Sequence, residues 1–306
     1  METHADRRAG PSAIPWIPAD LQQIIRVVDR LEVLLADYLG FCYGVKRAIK
    51  IARENAAPDG SACTLGPIIH NPQMVERLKE EGVGTVSALS DMPRGGRVII
   101  RSHGVGPETY DRAEAMGLES IDATCPHVKK AQLSAKELAD EGRFVVIVGE
   151  KEHPEVQSIV QWAGGNAAVV ESIAEAQAIE SAPKLGVVSQ TTFSGERFRE
   201  IVSALLDKSR DVRIMRTICT ATDQRQRAAR ELASKVDVML VIGGKNSANT
   251  TRLAQLCADI CRTYHIETAD ELQPAWFKNI EKIGITAGAS TPDWIIKEVY
   301  KKCQRI

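Results

Sequence analysis

Short apolar runs alternate with amphipathic stretches along most of this chain, and they recur in one order. Three segments open alike: Leu31–Arg53 (LEVLLADYLGFCYGVKRAIKIAR), Leu118–Leu138 (LESIDATCPHVKKAQLSAKEL) and Val212–Leu232 (VRIMRTICTATDQRQRAAREL). Each has an apolar run, a cysteine in the following turn, then apolar residues every three or four positions, as at Val45, Ile49 and Ala52. That pattern predicts a strand, a turn and an amphipathic helix. A second strand and helix follow at constant distance: His70, His153 and Ser247 stand 28 residues after Cys42, Cys125 and Cys219. A third strand closes each unit, in RVIIRSHG, LGVVSQTT and IGITAGAS, with helices beginning near Pro107, Gly195 and Pro292. Proline suits a first helical position.

The repeat predicts an α/β protein of three related units with mainly parallel sheets. The units fall at 31–124, 125–218 and 219–306, roughly ninety residues each. Residues 1–30 form an N-terminal extension in which Leu21–Arg30 reads as one short helix. Ligands of parallel sheets sit beyond the carboxyl ends of strands. Every turn named above lies at such an end, so a pseudo-threefold arrangement aims all of them at one centre.

Composition narrows the classes. Hydrophobic residues make up 44% and charged residues 26%, a soluble globular balance. The formal net charge of −1 gives no global basic field for nucleic acid, so an anionic ligand must be held by local groups. Seven scattered cysteines argue against a secreted disulfide framework and for a reducing compartment, the cytoplasm. No apolar run approaches a membrane span, and the N-terminus carries no apolar signal core.

Cys42, Cys125 and Cys219 occupy equivalent turns, and three such thiolates suit a soft metal centre. One possibility is an iron–sulfur cluster with one iron left open to act as a Lewis acid. Another is a catalytic zinc with three protein ligands, and spacing alone does not separate the two. Cys63, Cys257, Cys261 and Cys303 read as small buried hydrophobes, and His4, His127 and His265 as hydrogen-bonded core or turn residues, His4 in the tail and His265 in a strand-like run. Around the cysteines stand His70, His103 and His153, with Ser247, Asn249 and Ser290, all at helix starts where an anion is favoured. Taken singly, Ser247, Asn249 and Ser290 are better read as helix caps; as a set around the cysteines, anion binding is as good an account, and both can hold at once. Glu155 is either a proton donor or a first-turn acid favouring its helix dipole. Thr191 and Thr192 bond a ligand hydroxyl or form a turn.

The ordered motifs GFCYGVKRAI, GPIIHNP, RSHGVGP, DATCPHVKK, HPEV, SQTT, ICTATDQRQ, GGKNSAN and TAGASTPDW resemble the 4-hydroxy-3-methylbut-2-enyl diphosphate reductase (LytB) family, from about Leu31 onward. The resemblance implies three α/β units around a central 4Fe-4S cluster held by Cys42, Cys125 and Cys219. It implies diphosphate binding by His70, His103, His153, Ser247, Asn249 and Ser290, and proton delivery through Glu155. Thr191 would lie close to the substrate hydroxyl, with Thr192 nearby. The implied reaction is the last step of the methylerythritol phosphate route, yielding isopentenyl and dimethylallyl diphosphate with electrons from ferredoxin or flavodoxin. Tyr43, after the first cysteine, stands where many members have a small residue and is expected to narrow the pocket or shield the cluster. Ala248, inside GGKNSAN, is expected to remove one accessory phosphate contact. A zinc lyase or hydrolase and a cluster-based redox sensor are the rival functions, the sensor being disfavoured by a phosphate-binding ring.

Overall fold

The computed structural model describes residues 31–305; the expected extension 1–30 and its helix Leu21–Arg30 lie outside the described residues. Strands and helices alternate: β1 (Glu32–Leu35), α1 (Tyr43–Glu54), β2 (Ala62–Leu65), α2 (Pro72–Glu80), β3 (Gly84–Val86), β4 (Arg97–Ile100), α3 (Pro107–Ala115), β5 (Glu119–Asp122). There follow α4 (Pro126–Asp140), β6 (Phe144–Val148), α5 (Pro154–Ala163), β7 (Ala167–Val170), α6 (Ile173–Ala178), β8 (Lys184–Ser189), α7 (Gly195–Leu205) and β9 (Asp211–Ile214). The last are α8 (Thr220–Ala233), β10 (Val238–Ile242), α9 (Ala248–Ala258), β11 (Arg262–Ile266), β12 (Lys282–Ala287) and α10 (Asp293–Cys303).

The strands form three four-stranded sheets, ordered β3-β2-β4-β5, β7-β6-β8-β9 and β11-β10-β12-β1. Every ladder is parallel, as the repeat predicts. The inner strands β6 (FVVIV) and β10 (VMLVI) are apolar throughout because helices cover both faces.

One strand joins a sheet other than the one its place in the chain suggests. β1 pairs with β12, from Glu32 opposite Lys282 to Leu35 opposite Ile285, and so completes the third sheet rather than opening the first. The same rule holds around the molecule: the strand leading to each cysteine belongs to the sheet before it. β5 and β9 obey it by following β4 and β8, while β1, the first described strand, obeys it by joining the third sheet. A parallel ladder needs an open edge, not chain proximity, and β1 covers the edge that β12 would otherwise leave unpaired.

The helix after each cysteine packs on the next sheet. Val45, Ala48, Ile49 and Ala52 of α1 join Ile68, Ile69, Met74 and Ile99 in one core. Ala131, Ala135 and Leu138 of α4 pack with Val145, Ile147 and Val188. Ala228, Ala229 and Leu232 of α8 pack with Met239 and Val241. Each cysteine therefore sits at a joint between two sheets. No helix among the described residues is long and apolar enough to cross a membrane.

Candidate active site

Cys42, Cys125 and Cys219 are the N-cap residues of α1, α4 and α8. Their backbone amides donate to the carbonyls of Ala289 (3.2 Å), Ser102 (3.0 Å) and Thr191 (2.9 Å), each in a turn after the third strand of a unit. The closing turn of one unit thus holds the cysteine that starts the next. Burial pushes the Cys125 thiol up to about 11, while the first-turn amides of His127 and Val128 act the other way. Burial also raises Cys219, against the amides of Ala221 and Thr222. The charge of Cys42 reaches both thiols, placing its sulfur within electrostatic range of each.

The surroundings fit a three-thiolate centre. A Cβ at Gly44 would overlap Cys125 Sγ, so only glycine lets the start of α1 come so close. Arg225 is buried, donates from Nη2 to Gly40 O at 2.7 Å, and leaves Nε without a partner. Burial holds its guanidinium below the ordinary range, with the charges of Cys42 and Cys219 acting the other way. Three sulfur donors in matched turns with a guanidinium beside them suit a soft metal centre.

Cys42 and Cys125 line a cleft of about 620 Å3; Cys219 lies outside its lining. Into the same cleft come His70, His103 and His153, from the turns after β2, β4 and β6. Their ring centroids lie 4.4 to 5.6 Å apart. Burial is the main force holding all three below the ordinary imidazole range, with the charge of Arg101 added, and His153 falls to about 4. His153 Nδ1 accepts from the amide of Glu155 at 3.1 Å, which leaves its proton on Nε2. His70 Nε2 and His103 Nδ1 are buried with no partner among the described residues. Buried polar atoms are normally paired, so these mark a place for a ligand.

Ser247, Asn249 and Ser290 share the cleft but not one role. Ser247 Oγ accepts from Thr250 N at 3.4 Å, so capping accounts for it. Ser290 Oγ donates to His70 O at 3.2 Å and secures that turn. Asn249 is buried in the first turn of α9 with both amide atoms unpartnered, which capping does not explain.

Glu155 is 2% exposed, just after Pro154 at the start of α5. Oε1 accepts from Thr191 N at 2.6 Å and Oε2 from Thr191 Oγ1 at 2.9 Å. Burial raises this carboxyl to about 7, against the two Thr191 donors. A first-turn acid serving only the dipole would be solvated; this one is poised to hold or give a proton near neutrality. Thr192 also lines the cleft, its Oγ1 accepting from Gln190 Nε2 at 3.1 Å.

Tyr43 is 71% exposed and does not line the cleft, correcting the expectation that it narrows the pocket; its place at the first position of α1 turns it to solvent. Ala248 does line the cleft and offers it only a methyl group. Cys63, Cys257 and Cys303 are buried away from the cleft, whereas Cys261 is only partly buried, just beyond the end of α9. His127 is partly buried, and His265 Nε2 lies 2.9 Å from Gly243 O. Arg101 and Arg225 were not singled out from the sequence, although RSHGVGP and ICTATDQRQ contain them. Spacing finds repeated positions, and neither arginine is repeated.

Comparison with known proteins agrees with this geometry. The family model "LytB protein" matches residues 33–304. The 4-hydroxy-3-methylbut-2-enyl diphosphate reductase of Syntrophotalea carbinolica is 50% identical over 274 residues, 89% of this chain and 98% of the relative. The same enzyme of Geobacter sulfurreducens is 50% identical over 275 residues, 90% of this chain and 97% of the relative. A solved structure described as (E)-4-hydroxy-3-methyl-but-2-enyl diphosphate reductase, the terminal enzyme of the non-mevalonate pathway, matches with a TM-score of 0.67 at 46% identity, covering 90% of this chain and 100% of that one. The corresponding reductase from Plasmodium falciparum has a TM-score of 0.84 at 28% identity, covering 89% and 87%. With a family model spanning its three sheets and relatives at half identity over nearly their whole length, the chain belongs to the LytB family.

Proposed function

We propose that this protein reduces 4-hydroxy-3-methylbut-2-enyl diphosphate to isopentenyl and dimethylallyl diphosphate, the last step of the non-mevalonate route to isoprenoids. An allylic C–O bond breaks, a C–H bond forms, two electrons and two protons are consumed, and water leaves. The observation that carries this reading is one cleft that joins cysteine thiols, a buried carboxyl near neutrality and unpartnered imidazole and amide groups.

Cys42, Cys125 and Cys219 would hold a 4Fe-4S cluster. When bound, it supplies electrons singly and an open iron that polarises the C–O bond. His70, His103 and His153, with Asn249, would take the diphosphate, since their free ring and amide atoms are the unsatisfied groups of the cleft. Ser247 and Ser290 border the same space and keep the turns of the third unit in place. Anchoring the remote diphosphate holds the allyl group in one pose, which converts binding energy into orientation. Glu155 would deliver the proton that turns the leaving hydroxide into water, with Thr191 fixing both carboxyl oxygens next to the substrate hydroxyl and Thr192 beside it. Ferredoxin or flavodoxin, one-electron carriers, would be the donor.

The test is anaerobic purification with iron, acid-labile sulfide and dithionite-driven turnover measured together. Brown protein with sulfide and both isomeric products is expected, and Cys→Ser at Cys42, Cys125 or Cys219 should abolish the colour while Cys257→Ser or Cys303→Ser keeps it. Colourless protein with stoichiometric zinc and no sulfide after reconstitution would overturn the reading.

A further inference from the structure

We propose that Arg101 makes the three-histidine cluster select an anion over a transition-metal cation. The inference rests on the reading of this cleft as the diphosphate site.

The cluster by itself is ambiguous. One ring nitrogen from each of His70, His103 and His153 lies within 4.8 Å of the others. Three neutral imidazoles with an open fourth position are a donor set that zinc accepts. The same imidazoles, protonated, donate charge-assisted hydrogen bonds to phosphate oxygens. Ligand chemistry does not decide between these fates, so the local field must.

Arg101 supplies that field. It follows β4 directly, two residues before His103. Its guanidinium lies against the backbone of Gly66, where a Cβ would stand 2.6 Å from Nη1; a φ of +73° also suits glycine there. Nε is buried with no hydrogen-bond partner among the described residues, and burial holds the group below its ordinary range. Arg101 does not line the histidine cleft itself but a second one, about 800 Å3, together with Gly66, Arg112 and Pro154, the residue after His153, and with serine, threonine and glutamine but no acidic residue. Glu155, the carboxylate lining the histidine cleft, has both oxygens bonded to Thr191. The charge of Arg101 reaches all three histidines and opposes their protonation in the free protein. The same field repels a divalent cation from the imidazoles and attracts a polyanion.

The experiment compares parent, Arg101→Met and Arg101→Lys, each loaded with cluster so that the thiolates are occupied. Inorganic pyrophosphate binding is measured by calorimetry and Zn2+ binding by equilibrium dialysis, in separate runs because pyrophosphate chelates zinc. Arg101→Met should weaken pyrophosphate by about tenfold or more and tighten Zn2+ by a similar factor, the scale of one charge acting at an effective dielectric constant of about 20. Arg101→Lys should restore both, and adding His103→Ala to Arg101→Met should abolish the zinc gain. Arg101→Gln serves where the methionine variant does not fold. Weakening of both ligands, as a merely structural role predicts, would overturn the proposal, as would no change in either. A zinc gain that survives His103→Ala would overturn it as well. Failure of the parent to bind pyrophosphate would remove the diphosphate reading and the proposal together.

Discussion

Glu155 is the side chain on which the proposed proton delivery rests. Its carboxyl is raised by burial from 4.5 to about 7, so the folded state binds its proton more tightly than the unfolded chain does. The resulting stability is fully present below about pH 4.5 and is lost as pH rises through about 7. Glu155→Gln keeps shape and hydrogen bonding but never ionises. It should therefore gain stability over the parent on the order of 3 kcal/mol above neutrality, the gain vanishing below the unfolded carboxyl range. Chemical denaturation at several pH values measures this. Turnover per intact cluster should meanwhile fall by roughly two to four orders of magnitude, the scale of general acid catalysis. A variant more stable at pH 8 yet nearly as active as the parent would show that the proton comes from another group. The motif HPEV was enough to single out Glu155. Its burial against Thr191, 36 residues away, was not visible there, because pairing at that range depends on how β6 and β8 lie side by side.

At the scale of an element, α1 shows a helix whose local and tertiary demands conflict. Glycine inside a helix costs about 1 kcal/mol relative to alanine, so Gly44 is a poor choice by propensity. The structure explains it: a Cβ there would collide with Cys125 Sγ at the start of α4. Gly44→Ala should accordingly lower the melting temperature and the iron bound per chain, reversing the gain expected from propensity. Unchanged iron content with a raised melting temperature would show that the close approach is not required. The helix itself was readable from Val45, Ile49 and Ala52, whose spacing gives one apolar face. The packing partner at its other end was not readable, since periodicity describes a face and not what the face meets.

Across the whole molecule, the histidine cleft is assembled from the turns of all three sheets. His70 and His103 follow strands of the first sheet, His153 follows a strand of the second, and Ser247 and Ser290 follow strands of the third. Burial, with the charge of Arg101 added, depresses the proton affinity of these imidazoles in the free protein. A bound diphosphate opposes that field and raises all three, so binding at neutral pH should take up protons. Calorimetry of pyrophosphate binding in buffers of different ionisation enthalpy should show net uptake, decreasing as the pH is raised. Zero uptake between pH 6 and 8 would remove the histidines from the role of charged donors.

The sequence by itself determined the three-unit α/β plan, the parallel sheets and the positions of the cysteine turns, because alternation, period and repeat spacing are properties of neighbouring residues. It pointed to the histidines and Glu155 through their place after strands. The tertiary structure alone decided that β1 completes the third sheet, that Tyr43 faces solvent, and that Arg101 and Arg225 each keep a buried Nε without a partner among the described residues. It alone separated the capping serine Ser247 from the unpartnered Asn249. These outcomes share a physical cause. Strand partners, burial and the loss of hydrogen-bond partners arise where distant segments exclude water from one another, and no window of local sequence contains both sides of such a contact.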